Sequence, residues 1–449
     1  MSSVLTKHPA IQATIHLLGA FLICTALFLV TTILTYCIPT NLMETHLRES
    51  AIQLASEGVY HSAIEGGVTQ QLDNWTVAKM LNEAAHGSSN PIRGALLNPK
   101  ANVGDNKISQ LADGIGVPDE ELLSNYPQYW HGYLLFLKPL LLILNLSEIR
   151  ELLFVMFLVL LGLVALLLSK REGIAAGLVV VASFAVFNVF VMINSLSLSA
   201  CPYITLFAML FVLWSTKNES RFLINDVLWW TVPFFVCGGL TSFFDFLCTP
   251  IMTLGMPLAL LVFISRDAID RKNAVRCAIW VFGICLCWFA GYVLIWASKW
   301  ILAWLITGED VIARGLGKVA ERSAERASEA VDSLTISRID SIIKNVGLAF
   351  PKWSIKLCII GTIAAFALIA AMHIKQKTRP AIPSLWWVVP LFLTAMLPYM
   401  WYLFAANHSY QHSMFTYRSQ IVFVFAALLF LTGLCGAKAK AALGKHLRS

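Results

Sequence analysis

Four polar clusters in this 449-residue chain carry residue types able to do chemistry, and each lies beside long apolar runs. The first is Asp73-Asn74-Trp75-Thr76. A carboxylate among aromatic and amide groups can serve as a general base, because such surroundings tune its proton affinity. Asp73 also precedes a helical-looking run, Thr76 to Ala85, and Asp is a preferred helix N-cap, so taken alone the cap is the simpler reading. Glu44, Glu57 and Glu65 are weaker competitors from the same region. The second cluster is Tyr126-Pro127-Gln128-Tyr129-Trp130-His131-Gly132-Tyr133, which runs into a short apolar stretch containing Lys138. Tyr129 and Trp130 read as substrate contacts or as ordinary interfacial anchors. His131 and Lys138 are costly at membrane depth and so point to function. Lys138 either snorkels outward or neutralises a phosphate.

The third cluster, Ser242-Phe243-Phe244-Asp245-Phe246, sets a carboxylate among phenylalanines in a tight turn. Asp245 there is a second candidate base. The fourth is Asn407-His408-Ser409-Tyr410-Gln411-His412, followed by Phe415-Thr416-Tyr417-Arg418. His408 and His412 share a face if the segment is helical, but HxxxH without the zincin glutamate is a weak metal signal. Arg418 stands at the start of an apolar run, where gripping a phosphate or carboxylate through two N–H groups is a natural job.

These clusters must be positioned by membrane helices. The chain is 58% hydrophobic and only 13% charged, with a mean hydropathy of +0.71. A soluble domain needs about a quarter charged residues. Apolar runs long enough to span lie near 11–37, 151–169, 173–194, 198–215, 222–241, 250–265, 276–298, 355–374, 384–405 and 419–435. The expected fold is therefore all-α and polytopic, with about ten spans. Gly132 to Leu144 is too short to span and predicts an interfacial or re-entrant helix. The first run is too long for a cleaved signal peptide, which predicts an uncleaved signal anchor.

Lys170-Arg171, Lys217 with Arg221, Arg266 with Arg271-Lys272 and Arg276, Lys375 to Arg379, and Lys438 to Arg448 fall in alternate connections. The positive-inside rule makes this set cytoplasmic, with both termini inside. The predicted organisation is a signal-anchor span over 1–38, a large extracytoplasmic loop with amphipathic helices over 39–131, and helices over 132–298. A second extracytoplasmic helical segment over 299–352 and a last membrane block with a basic tail over 353–449 complete it. The centre of the second segment, Glu309 to Asp340, mixes Glu and Arg at helical spacing and reads best as a solvated connector. All four polar clusters then share the extracytoplasmic side, which strengthens the case for a site there. Cys37, Cys201 and Cys248 sit near that boundary, and a single bridge among them is an open alternative.

The layout resembles the GT-C superfamily of membrane glycosyltransferases, whose donors are polyprenyl-phosphate sugars. The best local match is Tyr126 to Arg171, YPQYWHGYLLFLKPLLLILNLSEIRELLFVMFLVLLGLVALLLSKR, an aromatic stretch entering an interfacial helix, then a Ser/Arg turn and a span. SFFDFLCTPIMTLGMPL and NHSYQHSMFTYR also look like segments of bacterial multi-pass proteins of this layout. The resemblance implies transfer of a sugar to a cell-surface glycan or glycolipid at a bacterial-type plasma membrane. It gives Asp73 the role of base and Arg418 and Lys138 the role of phosphate grips. Trp75, Tyr129, Trp130, His131, Asn407, His408, His412 and Tyr417 complete the candidate substrate contacts. Many members of that family place an acidic pair soon after the first span, whereas here Glu44 and Glu49 are not adjacent.

No cofactor is required by this chemistry, and nothing in the sequence indicates a divalent metal. A polysaccharide polymerase or ligase and a lipid-linked-sugar flippase remain as alternatives. There is no Walker A sequence, GxSxG, HExxH or dinucleotide fingerprint, and no basic-aromatic surface for nucleic acid.

Overall fold

The computed structural model describes residues 9–63, 67–116, 123–217, 227–269, 274–325, 337–351 and 385–446. In a bilayer a chain finds no water for its backbone, so apolar runs close their hydrogen bonds internally as helices. Among the described residues five helices are long and apolar enough to cross: Ile11–Tyr36, Leu146–Glu172, Leu196–Ser215, Val275–Thr307 and Ser413–Leu434. The chain is a multi-pass helical membrane protein.

The run near 355–374 lies outside the described residues; of the other nine expected runs, five are helices of spanning length and four coincide with shorter apolar helices. The shortening has local causes. The run after Gly173 stops at Val186 because Asn188 takes a left-handed backbone at φ 50°. The run after Trp387 is divided in two at Met396, with Pro398 in the first turn of the second piece.

In chain order the principal helices are α1 (Pro9–Tyr36), α2 (Glu44–Glu57), α3 (Asn74–Ala85), α4 (Pro91–Leu97), α5 (Lys107–Gly114), α6 (Leu134–Leu141) and α7 (Leu146–Glu172). They continue with α8 (Ile174–Val186), α9 (Leu196–Ser215), α10 (Val227–Phe244), α11 (Pro250–Ile264) and α12 (Ala274–Thr307). The last are α13 (Val311–Ser323), α14 (Arg338–Ala349), α15 (Val388–Ala395), α16 (Leu397–Phe404), α17 (Ala406–Gln411) and α18 (Ile421–His446). Pro99–Ala101 and Leu123–Asn125 pair as a small antiparallel ladder that sets Lys100 opposite Ser124.

Every residue of α11 is buried, as befits a helix that is apolar on all sides. α9, α10, α15 and α18 pack round it. α10 and α12 cross closely because glycines face the partner backbone: a Cβ on Gly238 would meet the Trp288 carbonyl oxygen at 2.0 Å, and one on Gly291 the Phe235 carbonyl oxygen at 2.0 Å. Small residues at such a crossing let helices associate in lipid through dispersion contacts. α7 buries one stripe, Phe157, Leu161, Val164 and Leu168, and exposes Val155, Val159, Leu163 and Leu166 on the other.

The helices α2 to α5 and the small ladder form a cap with its own apolar core, including Met43, Leu47, Leu54, Val77, Leu81, Ile108 and Leu111. The cap sits across one end of the bundle. Tyr36 at the end of α1 meets Asn98, whose Nδ2 donates to the phenol at 3.2 Å. Leu146 N at the start of α7 donates to Ser50 Oγ at 2.9 Å. Lys299 of α12 donates to Asn98 Oδ1 at 2.8 Å. At the opposite end Arg171 donates to Thr216 at 2.7 Å and Arg266 pairs with Glu172 at 2.8 Å.

The strap Tyr126–Tyr133 is held from two sides. Toward the bundle, Trp130 Nε1 donates to Ile295 O at 2.6 Å, Trp296 Nε1 to Gln128 O at 2.6 Å, and Gly132 N to Phe243 O at 2.9 Å. Gly132 has no room for a side chain, since a Cβ would lie 2.3 Å from the Phe243 ring. Toward the cap, His131 Nδ1 lies 2.7 Å from Glu83 Oε2, both side chains fully buried, and Tyr133 donates to the same oxygen. His131 takes φ +55° to reach it.

Replacing Glu83 by Ala strands His131 and Tyr133 in the interior. Breaking a buried pair in this way costs about 3–5 kcal/mol. A large fall in the thermal unfolding temperature of the detergent-solubilised protein is expected, and an unchanged midpoint would remove Glu83 from this role.

Candidate functional site

Where the cap meets the bundle, a polar cavity of about 80 Å³ is lined by Tyr60, Asp73, Trp75, Lys79, Tyr126, Tyr129, Cys248, Arg322, His408 and His412, with Thr76, Phe246, Met414 and Phe415. All four sequence clusters therefore reach one small volume. At about 30 Å³ per water, its size suits two or three waters or one phosphate-sized group.

Asp73 caps α3: its Oδ1 accepts from Thr76 N at 3.1 Å. Its other oxygen accepts from Ser197 Oγ at 3.1 Å, and its own N–H donates to Ser195 Oγ at 3.2 Å. The cap and the cavity wall are thus the same residue. Burial raises the Asp73 carboxyl above the ordinary range, against the lowering pull of Thr76, Ser197 and Lys79. A carboxylate with raised proton affinity is the kind that takes a proton from a hydroxyl.

Asn74 follows it and ties α3 to its neighbours. It donates to Glu57 at 2.9 Å and accepts from Arg150 at 2.8 Å, while Arg150 holds both Glu57 oxygens at 2.7 and 3.0 Å. Glu57 is therefore a structural partner, and Glu44 pairs with Arg48 at 2.7 Å. Glu65 lies outside the described residues.

One helical turn beyond Trp75, Lys79 stands 3.2 Å above the Tyr126 ring. Burial lowers it to about 8, with Glu83 opposing and Arg322 and Lys318 adding to the fall. Across the cavity Arg322, in the last turn of α13, places Nη1 2.7 Å from His408 Nδ1 and 3.1 Å from His412 Nε2. A guanidinium only donates, so both imidazole nitrogens are acceptors and both rings are neutral. His408 then carries its proton on Nε2 and donates it to Leu247 O at 2.8 Å. Burial and the Arg322 charge lower His408 strongly and take His412 to about 4. The Arg322 Nε is buried without a partner. Two cations, two neutral imidazoles and phenols, with Asp73 the one carboxylate among them, give a lining with the donors to hold an anion.

Among the candidates read from sequence, Asp73, Trp75, Tyr129, His408 and His412 line the cavity. Asp245 lies just behind it. It accepts from Cys248 N at 2.9 Å, and the Cys248 thiol donates to Ser197 O at 3.2 Å. Burial pushes Asp245 up to about 7 against the Cys201 and Cys248 bonds. Asn407 supports the wall by donating to Glu321 O at 2.7 Å. Cys37, Cys201 and Cys248 are free thiols, so the bridge among them is not formed.

The others do not line it. Trp130 and His131 hold the strap. Lys138 is fully buried over the Tyr36 ring and donates to His86 O at 3.3 Å. Tyr417 lies beneath, against Phe187. Arg418 is engaged by three backbone carbonyls, Phe187 at 3.0 Å, Met414 at 3.0 Å and Thr69 at 2.7 Å. It staples the cap to the bundle. The cations in the cavity are Lys79 and Arg322, which the motif reading missed. A signal for Lys79 was present: Trp75, Lys79 and Glu83 repeat every four residues on a helix otherwise carrying Val77, Ala78, Leu81 and Ala84. Arg322 had none, because it sits in a charge-mixed segment typical of exposed helices.

A second, far larger cleft of about 940 Å³ runs between α6, α7, α9 and α10, lined by Leu140, Met156, Ala200, Tyr203, Phe207 and Trp230 among other apolar residues. On α9 it follows the helix from Leu196 to Val212, roughly 24 Å at 1.5 Å per residue. Phe246 lines both spaces, and Ser197 lines the cleft while donating to Asp73.

Among the described residues no group of three or more His, Cys, Asp or Glu is arranged to hold a metal ion. Comparison with known proteins found no matching family model, no matching curated protein and no matching solved structure.

Inorganic phosphate should bind at millimolar concentration or tighter and raise the unfolding temperature. Arg322→Gln should weaken it about tenfold or more, the order of one charge-assisted hydrogen bond. Because the cation is the binding form, affinity should fall as pH rises through about 8, where Lys79 loses its proton. Lys79→Arg should move that fall to higher pH. A flat profile in the wild type would remove Lys79 from the anion site.

Proposed function

We propose that this protein is a membrane glycosyltransferase. It takes a sugar from a polyprenyl-phosphate-linked donor and passes it to a hydroxyl of a cell-surface glycan or glycolipid. The single observation that carries the reading is the junction at Phe246 and Ser197, where a phosphate-sized cationic cavity adjoins a cleft shaped for a long hydrocarbon chain. A ligand with an anionic head on an apolar chain fits both at once. The cleft follows most of the thickness of a hydrocarbon core, which is about 30 Å.

In this reading the polyprenyl chain lies in the cleft and its phosphate sits between Lys79 and Arg322. The sugar projects to the mouth of the cavity, where Trp75 is 39% exposed. The acceptor hydroxyl oxygen attacks the anomeric carbon as the bond from that carbon to the phosphate oxygen breaks. Asp73 takes the hydroxyl proton. Lys79 and Arg322 stabilise the charge gathering on the departing polyprenyl phosphate. His408 and His412, neutral and hydrogen-bonded to Arg322, hold the guanidinium without cancelling its charge. The basic helix ends would face the cytoplasm of a bacterial-type plasma membrane, and the cap and cavity the far side.

A lipid-linked-sugar flippase is the second reading. It is favoured by the two bonds that already occupy Asp73, one capping α3 and one to Ser197, an arrangement that a structural carboxylate shares.

The two readings separate in membranes supplied with a labelled polyprenyl-phosphate sugar pool. Asp73→Asn preserves the size of the side chain and should reduce transfer by about 10²–10⁴-fold, the usual contribution of a general base. Ala208→Trp, on the cleft wall, should abolish donor binding while sparing phosphate binding. Full transfer by Asp73→Asn would hand the base to Asp245, and no transfer by the wild type across a range of donor sugars would favour the flippase.

A further inference from the structure

Beyond the mouth of the cavity, the cap presents lysines whose partners are all neutral. Lys100 is only 8% exposed, and its ammonium donates to Ser124 Oγ at 3.1 Å. Lys107 donates to Gln110 Oε1 at 2.7 Å and stands 5.7 Å over the Trp75 ring. Lys79, inside the cavity, has the Tyr126 ring. Among the described residues none of the three is within ion-pair distance of a carboxylate. By contrast Lys318, nearby on α13, is paired with Glu321 at 2.6 Å. An ammonium drawn out of water with no carboxylate in contact is expensive. Here Lys100 is buried and Lys79 and Lys107 are half-buried, the three stand close enough to repel one another, and Glu83 opposes them only from a distance. Burial first, and then the neighbouring lysines, lower Lys100 to about 8, and Lys107 falls in the same direction.

The local architecture holds this strain in place. Trp75 and Lys79 are one turn apart on α3 and share a face. α5 packs on α3 and brings Lys107 over Trp75. The ladder sets Lys100 opposite Ser124, two residues before Tyr126. The result is a track of positive charge leading from the cavity outward beside an exposed indole. Aromatic faces pack against the C–H faces of sugars, and ammonium groups take phosphate or carboxylate.

We propose that this track is the acceptor subsite and that the acceptor is an anionic glycan, its carboxylate or phosphate groups lying at Lys100 and Lys107 beside Trp75. The inference rests on the glycosyltransferase reading and names its acceptor class. A neutral glycan would leave the lysines with only the distant Glu83 charge opposing them, whereas an anionic one relieves their repulsion as it binds. The donor phosphate is bound separately by Lys79 and Arg322.

The test uses the full chain in phosphatidylcholine nanodiscs, with tetragalacturonate as the anionic probe and maltotetraose as the neutral one. Binding of polyprenyl phosphate is measured in parallel, and it also reports that each variant is folded. Wild type should bind tetragalacturonate at least about tenfold more tightly than maltotetraose. Lys100→Gln with Lys107→Gln should erase that preference and leave polyprenyl-phosphate binding unchanged. Equal binding of the two tetrasaccharides by the wild type would overturn the proposal, as would a preference that survives the double substitution. So would a double variant that loses only its affinity for nanodiscs containing phosphatidylglycerol, since the lysines would then read lipid headgroups. Preference for tetragalacturonate without any polyprenyl-phosphate binding would leave the anionic-glycan site standing and remove the transferase reading.

Discussion

Everything at the junction of cap and bundle depends on one buried pair, Glu83 with His131. A carboxylate with no solvent exposure cannot remain ionised unless something opposes it. Burial pushes Glu83 up, but His131, through charge and hydrogen bond, with Lys79 and Tyr133, outweighs it and leaves the carboxyl below its usual range. Meeting Glu83 forces the strap into a left-handed turn at His131. That turn lets His131 Nε2 reach the Tyr126 carbonyl at 2.8 Å, and Tyr126 is the ring on which Lys79 rests. A pair that does not itself line the cavity thereby helps to set which side chains form its walls, since the His131 ring packs behind Tyr126, Tyr129 and Phe246.

The seam is built from polar contacts on a bundle that is otherwise apolar, and this division has a physical reason. Within the bilayer the helices gain little from hydrophobicity, since lipid is as apolar as leucine, and they rely on close packing. At the cap, water is displaced from charged and hydroxyl groups, so each must find a partner. Arg418, Arg150 and Lys299 do so with backbone carbonyls, amides and one carboxylate. Lys79, Arg322, Lys100 and Lys107 have only neutral groups in contact, the Glu83 carboxylate acting on Lys79 and Lys100 from a distance. The first set holds the fold; the second is the set that the proposed function gives to a ligand.

Much of this was legible in the residues themselves. The apolar runs showed a membrane bundle, and the four polar clusters near their ends do converge, with Asp73, Tyr129, His408 and His412 in one cavity. The lengths of the helices were less legible, because hydropathy counts Asn188 and Pro398 as incidents within a run, whereas the backbone treats them as stops. The roles of individual cations were least legible. Arg418 and Lys138 stand out in sequence for being charged amid apolar neighbours, but that is also what a buried staple looks like. Arg322 sits among glutamates and alanines, and only its approach to two histidines 86 and 90 residues away puts it in the cavity.

The helix α11, buried on every side, bears on how the chain comes to be assembled. One of its faces is covered by α18, where Val422 lies so near Gly255 that a Cβ there would sit 2.4 Å away. During synthesis α11 enters the membrane long before α18 exists, and that face must first be wetted by lipid tails. Because it is apolar, the wait costs little, and the later exchange of lipid for α18 is decided by fit. A close contact of the bundle core can therefore be among its last to form.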